Sequence, residues 1–256
     1  MIGALIGDFV GSRFESSPIK TKDFQLVTSK NSITDDSVLT IAIADCLMND
    51  TAYNQNLKTY YQLYPRAGFG ASFHIWASSD QEVPYYSFGN GSAMRVSPVG
   101  WYFDSLEEIL EQAKKSAEVT HNHPEGIKGA QAVATAIFLS RQAWDKKSIR
   151  EEIQTRFQYD LTRTVEEIRP GYSFDVTCQG SVPEAIICFL ESTDFEDAIR
   201  NAISLGGDTD TQGCIAGSIA EAYYKQTPRE LEQKVLNCLD SFLYQKVTDF
   251  LDLVSK

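Results

Sequence analysis

The feature that most constrains this chain is a short acidic turn, residues 206–211 (GGDTDT), which leads directly into an apolar segment. Over residues 214–224 apolar side chains recur every three or four positions, which predicts a helix with one buried face. Continued back by one turn, the same face reaches Thr211. Polar side chains at the head of a buried face need partners, because an unpaired buried polar group costs roughly 2–7 kcal/mol. A metal ion would satisfy several of them at once.

A second acidic cluster has the same form. Thr34, Asp35 and Asp36 precede residues 38–47, which are apolar almost all round and predict a central, buried helix. Capping explains either cluster alone, because Thr34 and Asp208 can act as N-caps and the other aspartates interact with the positive helix end by roughly 0.3–1 kcal/mol. Capping does not explain why both clusters open unusually buried helices. If the two helices are neighbours, their N-termini bring four carboxylates together.

These four carboxylates, Asp35, Asp36, Asp208 and Asp210, would form an all-oxygen site together with threonine hydroxyls. Oxygen ligands without histidine or cysteine favour Mg²⁺, Mn²⁺ or Ca²⁺ over zinc. Helix N-termini carry partial positive charge, so several carboxylates are needed to outweigh it. Four carboxylates balance two divalent cations, and we therefore predict a two-metal site.

The stretch of residues 89–95 (GNGSAMR) is a second candidate for ligand binding. Its glycines expose backbone N–H groups, and its serine and arginine add donors, a combination suited to binding phosphate. Asn-Gly is also a common turn pair, so a simple turn remains an open alternative. His121 and His123 are two residues apart and lack a third soft ligand nearby, which argues against zinc. We expect them to donate to a ligand or to a backbone carbonyl.

The composition limits the classes of partner. The chain has 256 residues, 43% of them hydrophobic, and a net charge of −12, so it can bury a substantial core and lacks the basic surface that binds nucleic-acid backbone. Its five cysteines include no Cys-x-x-Cys pair, which argues against a zinc site and a disulfide framework. Asp8 breaks the N-terminal apolar run, so we predict no signal peptide, and no apolar run approaches the roughly 18–20 residues that cross a bilayer. We expect a cytoplasmic monomer without membrane contact.

Helical periodicity recurs along nearly the whole chain. Gly3, Gly7 and Gly11 lie four residues apart and would form a smooth strip on a helix, either for close packing or for a ligand. Asp8 interrupts the apolar segment around them, and the polar residues 16–32 predict a long loop. Further helices are predicted at residues 53–64, 106–119, 124–143, 151–167, 183–190, 194–204, 228–239 and 242–254. We predict one all-α domain over residues 1–256, packed from about ten or more helices.

Three separated stretches together resemble the ADP-ribosylglycohydrolase family, the relatives of the dinitrogenase reductase-activating glycohydrolase. They are residues 7–15 (GDFVGSRFE), 34–36 (TDD) and 206–211 (GGDTDT), and the resemblance extends through residues 89–95 and 121–131. It implies an orthogonal all-α fold with a binuclear Mg²⁺ or Mn²⁺ centre at the base of a cleft that binds ADP-ribose.

The resemblance also implies roles for individual residues. The metal ligands would be Thr34, Asp35, Asp36, Asp208, Asp210 and Thr211. The pyrophosphate and the adjacent ribose would be held by Gly89, Asn90, Gly91, Ser92, Met94 and Arg95, with His121 near the same ligand. Tyr172 or Phe174 would provide a platform for adenine. Glu15 matches the family's glutamate that lies over the metal site.

The activity that the resemblance implies is hydrolysis of the glycosidic bond between ADP-ribose and a modified acceptor, with release of ADP-ribose. The acceptor would be a protein side chain such as arginine or serine, or a small conjugate. Cleavage at the anomeric carbon passes through an oxocarbenium-like state, and it needs a protonated leaving group and an activated water. We assign water activation to the metals with Asp36 or Asp208, and acid/base catalysis or gating to Glu15.

Two alternatives use the same residues. A two-metal nucleotide pyrophosphohydrolase would need the same carboxylates. A non-catalytic descendant would bind ADP-ribose or serve a structural role only, although retention of all six proposed ligands argues against it. The chain is short for the family and compact after Glu15, so we expect a reduced rim around the acceptor, and the identity of the acceptor stays open.

Overall fold

Helices form nearly all of the regular structure in residues 1–255, the part of the chain that the computed structural model describes. No strand forms within that range, and an isolated bridge pairs Gly89 with Thr177. The predicted all-α fold is confirmed. The α-helices of these residues are α1 (Ile2–Gly11), α2 (Asp35–Asn49), α3 (Tyr53–Leu63), α4 (Ala71–Ala77), α5 (Gly91–Met94), α6 (Ser97–Tyr102), α7 (Leu106–Glu118), α8 (Pro124–Arg141), α9 (Lys146–Phe157), α10 (Val165–Ile168), α11 (Cys178–Leu190), α12 (Phe195–Ser204), α13 (Thr209–Tyr224), α14 (Arg229–Leu236) and α15 (Ser241–Val254).

The centre of the molecule is the packing of α1 along α13, and both helices are buried over almost their whole length. Three glycines of α1 face the α13 backbone. A Cβ added at Gly7 would overlap the carbonyl oxygen of Gly213, and one at Gly11 would overlap the carbonyl of Thr209. The glycine strip of α1 therefore serves close helix packing, because only glycine allows two backbones to approach this far.

Helix α2 is the second central element, and its prediction as a buried helix is confirmed. Thr34 caps its start, where the Thr34 hydroxyl oxygen accepts from the backbone N–H of Asp36 at 3.2 Å. The starts of α2 and α13 both contact α1. Asp8 of α1 accepts from Thr34, and the Thr209 hydroxyl donates to the Gly11 carbonyl oxygen at 2.9 Å. One short helix thus holds the beginnings of the two acidic helices.

The predicted loop over residues 16–32 is present, and polar contacts fix it to the helices. The guanidinium of Arg200 donates to the carbonyl oxygens of Lys22 and Phe24, each at 2.8 Å. The ammonium group of Lys20 donates to the carbonyl oxygen of Leu205. The loop therefore packs against the turn that precedes Asp208.

The predicted helix over residues 151–167 is wrong in its second half. Helix α9 ends at Phe157, and Gln158 takes a left-handed conformation with φ +57°. Tyr159 and Leu161 then turn into the core, with exposed fractions of 5% and 0%. Burial of these alternating side chains outweighs the helical propensity of the charged segment, and Thr164 starts α10 with a capping box. None of the helices in residues 1–255 combines the length and the hydropathy that a membrane crossing requires.

Candidate active site

A cleft of about 360 Å³ opens where the starts of α2 and α13 meet the segment that leads into α5. Its volume suits a small-molecule ligand. It brings together segments that are far apart in the sequence, and most of the predicted site residues line it. These are Glu15, Thr34, Asp35, Asp36, Gly89, Asn90, Gly91, Met94, Arg95, His121, Phe174, Asp208, Asp210 and Thr211.

The floor of the cleft is acidic and largely buried. Asp36, Asp208 and Asp210 are exposed by only 2%, 6% and 5%. Carboxylate oxygens of Glu15, Asp208 and Asp210 lie within 4.8 Å of one another, a group that could hold a metal ion. Burial raises the pKa of both Asp36 and Asp210 well above the ordinary value, and repulsion between the carboxylates raises it further. For Asp35 the same causes raise the pKa to about 7.

This cluster fits a divalent cation. The Oδ2 atom of Asp36 is buried and has no hydrogen-bond partner in the part of the chain that the structure describes. Several carboxylates share the floor, and a buried carboxylate without a cation or donor is costly. The donor atoms are all oxygens, the ligands that Mg²⁺ and Mn²⁺ prefer.

Local contacts fix the acidic turn at residues 206–211. Gly206 has φ +67°, a left-handed conformation that glycine adopts without strain. The carboxylate of Asp208 accepts from the side-chain amide of Asn90 at 2.7 Å. The carboxylate of Asp210 accepts from the backbone N–H of Thr211 at 3.0 Å. Asn90, predicted to contact the ligand, therefore also holds a predicted metal ligand.

Glu15 lies at the edge of the acidic floor. It follows the 3-10 helix Ser12–Phe14, and its side chain is exposed. Partial burial raises the pKa of Glu15, and the nearby carboxylates of Asp208 and Asp8 raise it further. A raised pKa favours the protonated form of a carboxyl group and suits it to a role in proton transfer.

His121 faces the glycine segment across the cleft. A Cβ added at Gly91 would lie 3.1 Å from Nε2 of His121, so that nitrogen points toward residues 89–91. Nδ1 of His121 is 2.7 Å from the hydroxyl of Thr120, which in turn accepts from the guanidinium of Arg95 at 2.8 Å. Nδ1 of His121 therefore has a partner within the protein, and Nε2 is the ring nitrogen that faces the glycine segment. Burial and the Arg95 charge lower the pKa of His121 well below its usual value, which keeps the ring neutral.

Two side chains predicted to bind the pyrophosphate have partners within the protein. Arg95 is fully buried, and its Nη2 donates to the carbonyl oxygen of Ser116 and to Thr120, each at 2.8 Å. The hydroxyl of Ser92 donates to the carbonyl oxygen of Gly126 at 2.7 Å, and Ser92 does not line the cleft. The sequence pattern identifies the segment, but it cannot show which of its side chains face the protein interior.

The two aromatic candidates differ in position. Phe174 lines the cleft, and 53% of its side chain is exposed. Tyr172 is not part of the cleft lining, and its hydroxyl donates to the carbonyl oxygen of Gly180 at 2.7 Å. Its ring packs so closely against Gly207 that a Cβ there would overlap it. Tyr172 thus packs against the acidic turn at residues 206–211 from outside the cleft.

Comparisons with known proteins bear on the family of this chain. The sequence profile described as ADP-ribosylglycohydrolase matches residues 1–255. The ADP-ribosylhydrolase ARH3 of Xenopus tropicalis is 26% identical over 314 aligned residues, which cover 92% of this chain and 89% of that protein. The ADP-ribosylhydrolase ARH3 of Homo sapiens is 26% identical over 319 residues, which cover 91% of this chain and 87% of that protein. Both alignments are longer than this chain, so these relatives contain segments that have no counterpart here.

A solved structure of an ADP-ribosylglycohydrolase-related protein complex has the same fold. It superimposes with a TM-score of 0.72 over 99% of this chain and 97% of that chain, at 20% identity. The resemblance found in the three motifs is therefore confirmed by a profile that spans nearly every residue. The chain belongs to the ADP-ribosylglycohydrolase family.

Proposed function

We propose that this protein hydrolyses the glycosidic bond between ADP-ribose and an acceptor, with the help of two divalent cations, Mg²⁺ or Mn²⁺. Membership of the family supports a glycohydrolase that acts on ADP-ribose linkages. The observation that carries the metal-dependent mechanism is the convergence of both acidic helix starts on one cleft beside the glycine segment. The acceptor would be a protein side chain such as arginine or serine, or a small conjugate.

Six side chains at the two helix starts would hold the cations: Thr34, Asp35, Asp36, Asp208, Asp210 and Thr211. All six line the cleft, and their donor atoms are hard oxygens. Divalent cations in such a site lower the pKa of a bound water and stabilise developing negative charge. The carboxylates of Asp36 and Asp208 would be the candidates for orienting the attacking water and accepting its proton.

Glu15 would handle the proton of the leaving group. Burial and the neighbouring carboxylates raise its pKa, which favours the protonated acid that would donate to the acceptor atom as the glycosidic bond breaks. Its side chain is exposed and borders the acidic floor, so it can reach a substrate bound in the cleft. An acid/base or gating role for Glu15 follows from this position.

The opposite wall of the cleft would bind the ADP-ribose moiety. Gly89 and Gly91 present backbone that a substrate oxygen can approach, and Nε2 of the neutral His121 ring points to the same place. Phe174 is exposed on the cleft and offers a ring for adenine. Tyr172 would act indirectly, through the turn that carries Asp208.

Product analysis tests this proposal. The protein is incubated with Mg²⁺ and peptides that carry ADP-ribose on serine or on arginine, and the products are identified by mass spectrometry. Intact ADP-ribose and an unmodified peptide are expected. AMP together with a peptide that retains ribose phosphate would show a pyrophosphohydrolase instead. Binding of ADP-ribose in calorimetry without either product would show a non-catalytic protein. The Asp208→Asn variant serves as the inactive control.

A further inference from the structure

Asp8 is a buried carboxylate that the proposed reaction leaves without a role. It is 0% exposed, it does not line the cleft, and it forms no ion pair with any residue from 1 to 255. A buried carboxylate without a cation is retained only where hydrogen bonds satisfy its oxygens. The contacts of Asp8 therefore indicate what it does.

All four donors to Asp8 belong to Thr34, the N-cap of α2, and to Ser37 in its first turn. Oδ2 accepts from the backbone N–H groups of Thr34 and Ser37, at 2.9 and 3.1 Å, and from the hydroxyl of Ser37. Oδ1 accepts from the hydroxyl of Thr34 at 2.8 Å. Backbone N–H groups can only donate, so Oδ2 of Asp8 acts as an acceptor. Asp8 thus occupies the anion-binding position at the N-terminus of α2.

These contacts determine how the Thr34 hydroxyl is used. A hydroxyl has one hydrogen and two lone pairs. The hydrogen of Thr34 points to Asp8, and one lone pair accepts the backbone N–H of Asp36. One lone pair remains, on a residue that lines the acidic floor. With its hydrogen directed away, Thr34 presents oxygen to a cation.

Helix α1 also fixes the other acidic cluster. Gly7 and Gly11, on either side of Asp8, allow α1 to pack directly against the backbone of α13. The hydroxyl of Thr209, in the acidic turn at residues 206–211, donates to the carbonyl oxygen of Gly11 at 2.9 Å. The position of Asp8 is therefore fixed relative to the α13 carboxylates, and Asp8 in turn fixes the acidic cluster at residues 34–36.

We propose that Asp8 is a positioning residue for divalent-cation binding: it orients the Thr34 hydroxyl and sets the place of Asp35 and Asp36 relative to the α13 carboxylates. This inference rests on the proposed metal-dependent function. Carboxylates that hold a metal ligand in place commonly affect metal affinity by about 10- to 100-fold when they are replaced. The same size of effect is expected here.

The test measures binding of Mn²⁺ alone to the whole protein, by calorimetry and by electron paramagnetic resonance. Asp8→Asn keeps the size of the side chain but replaces an acceptor oxygen with an NH₂ donor. We expect its Kd for Mn²⁺ to rise by about 10- to 100-fold. At saturating Mn²⁺ its kcat should recover toward the wild-type value. A lower Tm with an unchanged Kd would overturn the proposal and leave Asp8 a purely structural residue.

Asp45→Asn is the matched control. Asp45 is also a nearly buried carboxylate of α2, and it accepts from Asn49, Tyr60 and Lys246 at 2.7, 3.1 and 2.7 Å. It does not line the cleft. Its replacement should lower Tm and leave the Kd for Mn²⁺ within about twofold, because it supports the opposite half of the helix.

If Asp8→Asn does not fold, Ser37→Ala decides the question. It removes one donor to Asp8 and keeps the carboxylate and its contacts with Thr34. A rise of about threefold or more in the Kd for Mn²⁺ supports the proposal, since part of the orientation is lost; an unchanged Kd overturns it. Wild-type protein that binds no Mn²⁺ would overturn both this inference and the metal-dependent function. Tight wild-type binding that Asp8→Asn does not weaken would overturn this inference alone.

Discussion

At the scale of single residues, the acidic floor of the cleft is a set of carboxylates that destabilise one another. Burial and the charges of Asp8 and Asp208 raise the pKa of Asp35 to about 7, and burial with neighbouring charge also raises the pKa of Asp36 and of Asp210. A raised folded-state pKa means that the folded protein prefers the protonated acid. Above that pKa the folded state is destabilised, by about 1.4 kcal/mol for every pH unit that separates the folded and unfolded pKa values. A bound cation would offset this cost.

Replacement of Asp35 should have opposite effects on two properties: it should stabilise the protein without a cation and weaken the binding of Mg²⁺. The contribution of Asp35 to stability is fully present below its unfolded pKa near 3.8 and is lost as pH rises through about 7. In a chelator at pH 8, Asp35→Asn should therefore melt higher than wild type by about 3 °C or more. Near pH 4 the difference should vanish. The measurement is thermal unfolding by circular dichroism, with and without Mg²⁺.

The control for this experiment is Asp50→Asn, at an exposed position that follows α2. It should leave Tm unchanged at both pH values and should keep the rise of Tm on addition of Mg²⁺. Asp35→Asn should lose that rise. A lower Tm of Asp35→Asn in chelator at pH 8 would instead indicate that Asp35 only favours the start of α2.

Glu15→Gln should affect turnover more than binding. Glutamine keeps the size and the hydrogen-bonding capacity of the side chain but cannot transfer a proton. We expect kcat to fall by about 10²- to 10⁴-fold, the usual contribution of a general acid or base. The Kd for ADP-ribose, measured by calorimetry, should stay within about threefold. Unchanged turnover would remove Glu15 from the reaction.

At the scale of secondary-structure elements, the close packing of α1 against α13 determines the geometry of the site. Both acidic clusters contact α1, one through Asp8 and the other through the Gly11 carbonyl oxygen. The distance between the clusters therefore depends on how closely α1 approaches α13. The glycines of α1 permit that approach, and any larger residue would force the helices apart.

Gly7→Ala should be strongly destabilising. The added methyl group would overlap the backbone of Gly213, which cannot move aside as a flexible side chain could. We expect a loss of at least about 2 kcal/mol in the free energy of unfolding, measured in urea. Gly171→Ala is the matched control, because an added Cβ there meets no heavy atom within 4 Å. It should change the free energy of unfolding by less than about 0.5 kcal/mol. Equal stability of the two variants would contradict the packing account.

The elements also show how far sequence patterns predict this fold. Helices α2 and α13 are predictable because each has a long apolar run behind an acidic start. The glycine spacing of α1 predicts a close contact but not the partner, since spacing along one helix carries no information about its neighbour. The helix predicted over residues 151–167 fails at residues 158–164, because burial of Tyr159 and Leu161 is decided by the tertiary structure.

At the scale of the whole molecule, the site is assembled from segments that the chain brings together only on folding. Residue types and spacing predict which carboxylates belong to the site, because the chemical character of each side chain is known from the sequence. The same patterns cannot show that Asn90 binds Asp208, that Arg95 faces Thr120, or that Phe174 lines the cleft. Those contacts join residues that are distant in the sequence or depend on which way a loop side chain turns.

The central claim is that cations held by the convergent carboxylates enable cleavage of the ADP-ribose linkage. Its most direct test starts from protein whose divalent cations have been removed with a chelator. ADP-ribose release from peptides modified on serine or on arginine is then followed while Mg²⁺ is titrated in. We predict no release in chelator, release that rises to saturation with Mg²⁺, and none from Asp208→Asn at the same Mg²⁺ concentration. Equal release in chelator and in Mg²⁺ would contradict the account.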